Sequence, residues 1–588
     1  MEKWFIKNKK ANYKVIAARF GISEVLAQLI VNRDIKSNEE LEAYIYPSLS
    51  HLQEASRLKD MDLAVSLLKQ KIAEEKRIRI VGDYDVDGVM ATYILYTGLR
   101  RVGANVDYEI PERMKDGYGI NVSIIDAAYQ DGIDTIITCD NGIAAINQIQ
   151  HAKELGMTVI ITDHHDIGFV EEEGVRTYVV PKADAVVNPK QEDCTYPFEG
   201  ICGGVVAYKL VDHLYETCEI PREELEPLLE FAAIATVCDV MDLVKENRDI
   251  VRFGLERMNE TTNLGLRALL EETQILDKKL TVYHLGFVIG PCINASGRLE
   301  SAKLSLQLFL SNSKEEAKRL AKQLKELNDD RKAMTNEGLE QAIALIEAEK
   351  RESDKVLVIY LPDCHESLAG IIAGRIKERF HRPTIVLTKA HEGVKGSARS
   401  IEEYNMFEEL NKCKDLLTKF GGHPMAAGLS LEEENIDALR MKLNQVTTLT
   451  EEEMIPKVSI DMVLPLSKVN YGLIKEIGML EPYGKGNVKP LFVLKDVHVI
   501  KAAIIGKNKN VLKMTVSEKD NSSARFTAML FQNLDRFEEV VVSKFGEEGL
   551  RAMYGGYQSP VYLDMVFYPD INEYNGIQTI QILVQNYR

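Results

Sequence analysis

Short apolar runs alternate with polar tips and helical stretches between residues 76 and 162. Three of these runs are nearly continuous in β-branched and other apolar residues: 78–82, 134–139 and 158–162. Such runs are typical of parallel strands that are buried on both faces of a sheet. The pattern therefore predicts a doubly wound parallel α/β sheet over this part of the chain.

Each predicted strand runs directly into acidic or histidine residues. DYDVDG (83–88) follows the first strand, DNG (140–142) the second and DHHD (163–166) the third. Ligands of open α/β sheets bind outside the carboxyl ends of the strands. We therefore expect these three segments to converge on one site.

The remaining pattern divides the chain into further units. Residues 203–290 are mainly helical in pattern, and residues 313–350 predict a long connector helix. A second α/β unit begins with the apolar run 355–361 and continues through 382–388. The last 130 or so residues alternate short strands with turn signals, which predicts an all-β barrel. The predicted domains are an N-terminal helical segment (1–50), an α/β domain with a helical extension (51–312), the connector helix (313–350), a smaller α/β domain (351–448) and the barrel (455–588).

Composition limits the class of protein. At roughly 150 residues per domain, 588 residues make about four structural units. With 45% hydrophobic and 28% charged residues and no apolar run long enough to span a bilayer, the composition excludes disorder, collagen and membrane insertion. The 72 basic and 90 acidic residues give a net charge of −18, so a nucleic-acid partner must meet a local basic patch or a bound metal.

The cysteines and the N-terminus indicate a cellular compartment. The eight cysteines contain no CxxC pair and no regular spacing, and the first residues have no apolar core of a secretory signal. Both features favour a reducing cytoplasm.

Asp83, Asp85 and Asp87 are the sharpest chemical signal. Three carboxylates at alternate positions of one loop repel one another and need a cation. The spacing matches the start of an EF-hand, but the twelfth loop position is Ile94 where calcium loops need Glu, and a buried strand enters the loop instead of a helix. A solvated acidic turn is the remaining alternative for this motif alone.

Further candidates follow the later strands and one apolar helix. Asp140 before Asn-Gly is also typical of a turn or a helix cap. His164 and His165 lie between carboxylates, and because adjacent side chains diverge, we expect one to bind a metal and the other to face substrate; a surface histidine pair is the alternative. Asp239, the acid in the apolar segment ATVCDV, needs a partner, or else it caps the end of a helix.

This set of aspartates with a histidine and no thiolate suits Mn²⁺ or Mg²⁺ better than a structural zinc ion. One ion would leave much of the negative charge unneutralised, whereas two ions would share a bridging aspartate. The predicted chemistry is hydrolysis of a phosphate ester or anhydride by a metal-activated water.

A second group of residues offers donors to phosphate. KGSARS supplies hydroxyl and guanidinium groups, and GGHP supplies a glycine-rich turn with a histidine. Taken singly, each arginine is also typical of a surface ion pair. The candidates are Arg113, Arg298, Ser397, Arg399, Ser400, Gly421, Gly422 and His423.

Together these motifs resemble a known family. VGDYDVDG, TCDNG, TDHHD and ATVCDV, in this order, resemble the four motifs of the DHH phosphoesterase superfamily, and GSARS with GGHPMAAG resembles its companion DHHA1 domain. IPERMKDGYGIN, INASGRL and LEPYGKGNVKPLF are similar in particular to the RecJ family of bacterial single-strand-specific exonucleases. The resemblance extends from about residue 50 to the end of the chain.

The resemblance implies a 5′ to 3′ exonuclease on single-stranded DNA, acting in repair and recombination with two Mn²⁺ or Mg²⁺ ions. Its active site would lie between the DHH and DHHA1 domains, followed by an OB-fold. The implied metal ligands are Asp83, Asp85, Asp87, Asp140, His164 and Asp239, and His165 would face the scissile phosphate. Arg113, Arg298, Ser397 and Arg399 would lie along the strand or its 5′ phosphate, and His423 with its glycines would line the same cleft.

Two positions depart from the family pattern: Cys292 stands where an arginine is usual, and Ser367 where a glycine is usual. Two other functions stay open. One is a DHH phosphoesterase that hydrolyses short oligonucleotides or cyclic dinucleotides, which would not need the barrel. The other is a non-catalytic scaffold that binds single strands, which would not need a metal ligand at every expected position. We expect a monomer that does not associate with membranes. Single-strand-binding protein and a helicase are its candidate protein partners.

Overall fold

A computed structural model describes residues 2–113, 115–172, 175–390, 393–506, 508–521, 524–574 and 576–588. The chain forms two compact units. The larger contains residues 52–241 and 246–456, and the smaller contains residues 2–51, 242–245 and 457–588. Among the described residues, no helix is both long and apolar enough to cross a membrane.

The chain begins with a short strand and three helices of the smaller unit. These are β1 (Lys3–Ile6), α1 (Tyr13–Phe20), α2 (Glu24–Val31) and α3 (Asn38–Ile45). The side chain of Ser23 accepts a hydrogen bond at the start of α2, and Ser37 and Glu40 form a capping box on α3, which fixes where both helices begin.

A parallel α/β sheet opens the larger unit. Its elements and the hairpin that follows β5 are α4 (Met61–Ala73), β2 (Arg77–Val81), α5 (Val86–Arg101), β3 (Asn105–Glu109), α6 (Val122–Gln130), β4 (Thr135–Cys139), α7 (Ile146–Glu154), β5 (Thr158–Thr162), β6 (Phe169–Glu172), β7 (Val175–Tyr178) and β8 (Ala185–Val187). The sheet order is β3-β2-β4-β5-β8 with all pairs parallel, whereas β6 and β7 pair only with each other. The predicted doubly wound sheet is confirmed.

The strand order reverses at the centre of this sheet. The chain leaves β2 for β3 on one side and returns to β4 on the other, so β2 and β4 are neighbours. A crevice for ligands forms at such a reversal, at the carboxyl ends of the strands. The acidic segments after β2 and β4 therefore begin side by side.

Helices follow the sheet, as the sequence predicts. They are α8 (Gly203–Thr217), α9 (Leu228–Cys238), α10 (Lys245–Met258), α11 (Leu264–Glu272), α12 (Val282–His284), α13 (Gly290–Leu299), α14 (Lys303–Leu310) and α15 (Lys314–Ala348). A π-helical turn, Leu285–Ile289, connects α12 to α13. The long helix α15 packs on α11 and α13 near its start and on α16 (Ala369–Phe380) further along.

The second α/β sheet of this unit is mixed. Its remaining elements are β9 (Leu357–Tyr360), β10 (Thr384–Lys389), β11 (Val394–Arg399), α17 (Met406–Asn411), β12 (Lys419–His423), β13 (Ala426–Leu431) and α18 (Ile436–Val446). The order is β12-β13-β11-β10-β9, in which only β9 and β10 run parallel. The strand β12 therefore lies at an edge.

A closed barrel completes the smaller unit. Its elements are β14 (Lys457–Ile460), β15 (Met462–Val463), α19 (Tyr471–Gly478), β16 (Phe492–Ile505), β17 (Val511–Ser517), β18 (Arg525–Leu530), α20 (Leu534–Gly555), β19 (Tyr562–Tyr574) and β20 (Ile577–Tyr587). The strands β16-β17-β18-β20-β19 close through a β16–β19 pairing, and β14 pairs in parallel with β1. The predicted barrel is confirmed, but the all-β description is wrong because α20 contributes 22 residues. One of the turn signals between the predicted strands is EKDNSS (518–523), of which Ser522 and Ser523 lie outside the described residues.

Candidate metal centre and anion cavity

The acidic loop after β2 is held by its own backbone. Asp85 is the N-cap of α5, and its Oδ1 accepts the N–H of Gly88 at 3.0 Å. A Cβ on Gly88 would lie 2.5 Å from the carbonyl oxygen of Asp83, so only glycine allows the turn to close this tightly. The buried side chains of Asp83 and Asp87 consequently face the sheet edge from one short loop.

The start of α8 holds the carboxylate of Asp87. Its two oxygens accept the N–H groups of Gly203 and Gly204, each at 2.7 Å. The first N–H groups of a helix have no partner inside the helix and carry partial positive charge, so they stabilise a buried anion. Sequence reasoning missed this glycine pair.

His164 brings three acidic segments together. Its Nε2 lies 3.1 Å from Asp140 Oδ1, 3.5 Å from Asp87 Oδ2 and 3.6 Å from Asp239 Oδ2. Asp239 follows the last residue of α9, and Asp140 follows β4 directly. The structure thus gathers the strand-end carboxylates and the acid of ATVCDV around one imidazole.

The electrostatics of this cluster favour a bound cation. Burial, together with the charge of Asp85, raises the pKa of Asp83 to about 8. Burial and the neighbouring carboxylates likewise raise the pKa of Asp239 to about 8 and raise the pKa of Asp85 and Asp140. Burial lowers the pKa of His164, which favours the neutral imidazole that binds metals.

The cluster fits two divalent ions. Asp83, Asp85 and Asp140 form one group, and Asp87, His164 and Asp239 form another, with the ligand atoms of each group within 4.8 Å of one another. A third group, Asp140, His164 and His165, overlaps both. Asp83 Oδ1 and His164 Nδ1 are buried and have no hydrogen-bond partner among the described residues. Carboxylates with one imidazole are a hard donor set, which suits Mn²⁺ or Mg²⁺.

Asp163 positions the second histidine. Its Oδ1 accepts the backbone N–H of His164 at 2.7 Å and lies 2.7 Å from His165 Nδ1, while its Oδ2 accepts the N–H of Ile143 at 2.9 Å. Burial would raise the pKa of Asp163, but these hydrogen bonds hold it below its ordinary value. Burial would in turn lower the pKa of His165, but the contact with Asp163 raises it to about 9.

His165 differs from His164 in exposure. Its side chain is 44% exposed, against 7% for His164. The hydroxyl of Tyr118 donates to the carbonyl of Asp140 at 2.9 Å and lies 3.2 Å from His165 Nε2. The two histidines therefore differ in exposure, as divergent side chains predict. Asp163 is one of the flanking carboxylates of the DHHD motif, whereas sequence reasoning did not select Tyr118.

A cavity of about 250 Å³ lies beside this cluster, between the two sheets of the larger unit. Among the residues that line it are Arg113, Arg298, Lys395, Ser397 and Arg399. No carboxylate lies within 4.0 Å of the three guanidinium groups among the described residues. Lys395 is paired with Glu366 of the same cavity at 3.3 Å, but the three partly buried guanidinium groups have no counterion in the described part of the chain and fit an anion such as phosphate.

Two contacts join the cavity to the acidic loop. The Arg113 guanidinium lies 5.0 Å from the centroid of the Tyr84 ring, and a Cβ on Gly297 would lie 2.5 Å from the Tyr84 carbonyl oxygen. Burial and the other guanidiniums lower the pKa of Arg298 to about 10 and also lower that of Arg399. Met114, inside the segment 110–121, lies outside the described residues.

The structure places other predicted phosphate ligands elsewhere. Ser400 is buried, and its hydroxyl donates to the Tyr404 carbonyl at 2.6 Å, so it holds a turn instead of lining the cavity. Gly421, Gly422 and His423 lie on the exposed edge strand β12, and only Gly428 of that segment lines the cavity.

The two departures from the family pattern have structural roles here. Cys292 is fully buried and accepts a hydrogen bond from Asn328 of α15 at 3.4 Å. Ser367 is buried in the cavity wall, its hydroxyl lies 2.7 Å from His365 Nδ1, and its carbonyl accepts a hydrogen bond from Arg298.

The fold and the site define a phosphoesterase of the DHH class. Residues 77–236 match the N-terminal domain of the DHH family, residues 353–448 match the DHHA1 domain, and residues 460–586 match the RecJ OB domain.

Curated relatives narrow this class. The single-stranded-DNA-specific exonuclease RecJ of Salmonella typhimurium is 32% identical over 590 residues, covering 96% of this chain and 95% of the relative. The protein of the same name from Bacillus subtilis is 36% identical over 532 residues, covering 90% of this chain and 65% of the relative's length. The crystal structure of RecJ in complex with Mn²⁺ from Thermus thermophilus matches with a TM-score of 0.82 and 26% identity, covering 100% of this chain and 79% of that one. The chain belongs to the RecJ family.

Proposed function

We propose that the chain is a metal-dependent exonuclease that hydrolyses single-stranded DNA from the 5′ end, in DNA repair and recombination. The observation that carries the proposal is the cluster of metal-ligand groups together with an anion cavity, one of whose lining residues, Arg113, contacts the Tyr84 ring in the acidic loop. The names of the relatives support the substrate, and the Mn²⁺ complex of the Thermus relative supports the metal.

In this proposal, Asp83, Asp85, Asp87, Asp140, His164 and Asp239 hold two Mn²⁺ or Mg²⁺ ions. When bound, such ions supply an activated water and neutralise charge that develops on a phosphoryl group. The N–H groups at the start of α8 fix Asp87 before any ligand arrives, so the carboxylate needs no reorganisation.

The remaining residues orient the DNA. Arg113, Arg298 and Arg399 bind the terminal phosphate, with the hydroxyl of Ser397 as a further donor. Nδ1 of His165 is bonded to Asp163, so Nε2, which also lies 3.2 Å from the Tyr118 hydroxyl, is the nitrogen that would donate to the scissile phosphate. The names of the relatives, single-stranded-DNA-specific exonucleases, support a single strand as the substrate.

Cellular context is part of the same proposal. Eight free cysteines are in keeping with a cytoplasmic protein. We propose that the chain acts as a monomer, and that single-strand-binding protein and a helicase supply its substrate.

The test is digestion of end-labelled single-stranded and duplex DNA with Mn²⁺, with Mg²⁺ and with EDTA. We expect the 5′ label to be released as mononucleotides, from single strands only and only with metal. Asp85→Ala should abolish release, whereas Asp193→Asn, which removes a surface carboxylate of the same unit, should not. Binding without hydrolysis would indicate a scaffold, and cleavage confined to very short oligonucleotides would indicate a small-substrate phosphoesterase.

A further inference from the structure

Two aromatic rings stand exposed beside the metal centre. Tyr283 and Phe287 are 63% and 68% exposed, and their rings stack with centroids 5.2 Å apart and planes 22° apart. They are four residues apart across α12 and the π-helical turn, so they share one side of the helix. Single exposed apolar residues are common, but a preformed stack of two rings is not explained by packing of the core.

The position of the stack relates it to the site. The Sγ of Cys238, the residue before Asp239, donates to the carbonyl of Leu285 at 3.6 Å, so the π-helical turn packs against the end of α9. Val240, the residue after Asp239, is 59% exposed and has φ 56°, an unusual conformation for a β-branched residue. Strained residues of this kind and π-helical turns both concentrate at functional sites.

The same helical segment continues into the anion cavity. Residues 287–298 run from the stack through α13 to Arg298, which lines the cavity. At 1.5 Å per residue this distance is about 16 Å, the length of a few stacked nucleotides at 3.4 Å each. A strand whose terminal phosphate lies in the cavity would thus have a base near the rings.

We infer that Tyr283 and Phe287 form a base-stacking platform that positions single-stranded DNA for hydrolysis. Bases stack on aromatic side chains without regard to sequence, as a general exonuclease requires. The inference rests on the proposed function for its ligand. A duplex end hides the faces of its bases, so the platform would also favour single strands.

The test uses a 5′-phosphorylated 12-nucleotide strand with 2-aminopurine placed in turn at each of the first eight positions, in EDTA so that no strand is cut. In the native protein we expect quenching of fluorescence at one or two internal positions. The double variant Tyr283→Ala/Phe287→Ala should lose this quenching and bind roughly 10-fold more weakly. Tyr283→Phe keeps a ring and should retain both properties, and Tyr129→Ala, which removes a 52% exposed ring from α6, should change neither.

A kinetic experiment separates positioning from structure. An abasic nucleotide at the quenched position should raise KM for the native enzyme and should change its kcat less than its KM. The same substrate should not raise the KM of the double variant further. Equal quenching and equal affinity in the native protein and the double variant would overturn the platform and leave the surface to a protein partner. Because quenching needs no cleavage, a chain that stacks bases but never hydrolyses them would contradict the proposed function alone.

Discussion

Asp163→Asn should separate positioning of His165 from metal binding. The carboxylate of Asp163 accepts hydrogen bonds from three donors on one oxygen and from the N–H of Ile143 on the other. We expect the amide oxygen of asparagine to take the place of Oδ1 and to keep its three hydrogen bonds, since an amide turned the other way would lose all three. Its NH₂ group would then face the N–H of Ile143, donor against donor.

The magnitude follows from that contact. One hydrogen bond to a charged group, worth about 1.5–3 kcal/mol, is lost, and a buried N–H is left unpaired. We expect the free energy of unfolding to fall by about 2–5 kcal/mol. Since His165 also loses its anionic partner, kcat should fall by roughly 10- to 100-fold, at about 1.4 kcal/mol per tenfold, while KM changes little.

The assay is denaturant unfolding together with 5′-label release at saturating Mn²⁺. The matched control is Asp166→Asn in the same DHHD motif, because the Asp166 side chain is 93% exposed and its pairing with Lys190 contributes about 1 kcal/mol at most. A folded Asp163→Asn protein with kcat within twofold of the native value would refute the positioning role.

Three further predictions concern buried charge, the cavity and the metal centre. Lys209→Met should lower the free energy of unfolding, measured by urea denaturation, by about 3–5 kcal/mol, because Glu246 lies 3.0 Å away and would stay buried without its cation. An added Glu246→Leu should recover part of the loss. Gly370→Ala places a methyl group 2.7 Å from a cavity guanidinium and should raise KM roughly 10-fold. The control is Gly374→Ala on the same helix, whose methyl group meets open space. Equal KM values for the two variants would show that the cavity does not bind substrate. Mn²⁺ at about 100 times its Kd should stabilise the native protein by about 2.7 kcal/mol in a thermal melt. Asp140→Asn should abolish this gain without lowering stability in EDTA. A retained gain would contradict the assignment of Asp140 as a metal ligand.

The strand ends were predictable because the signal is local. Runs such as 78–82 and 158–162 are apolar throughout, so they must be buried, and any acid directly after them must lie at the sheet edge. The support of Asp87 was not predictable, because its partners Gly203 and Gly204 lie more than 110 residues away in sequence. The residues around Gly203 and Gly204 give no sign that their N–H groups bind a carboxylate so distant in sequence.

The alternation of side chains along β11 already distinguishes the predicted phosphate-binding residues from one another. Ser397 and Arg399 are two apart on β11, so they share a face, and the next residue, Ser400, falls on the other side. Alternation along the strand therefore separates the two cavity residues from the one that holds a turn.

The missed helix α20 has a different cause. Residues 540–542 are three consecutive valines, a composition typical of strands, and Gly546 at φ 70° interrupts the helical path. Leu534, Phe537 and Val541 nevertheless keep a helical spacing, and the last two are fully buried in the barrel core. Packing on the barrel therefore overrode the local preference.

The parallel pairing of β1 with β14 has a consequence for synthesis on the ribosome. The smaller unit draws on both ends of the chain, and Leu26, Leu29 and Ile30 of α2 are buried in a core whose members outside α2 and α3 come after residue 457. At 5–20 residues per second, about 400 residues and about 20–80 s separate the two halves of that core. The nascent N-terminal segment must spend this interval with its apolar face uncovered, so we expect chaperone contact there while the larger unit is already folding.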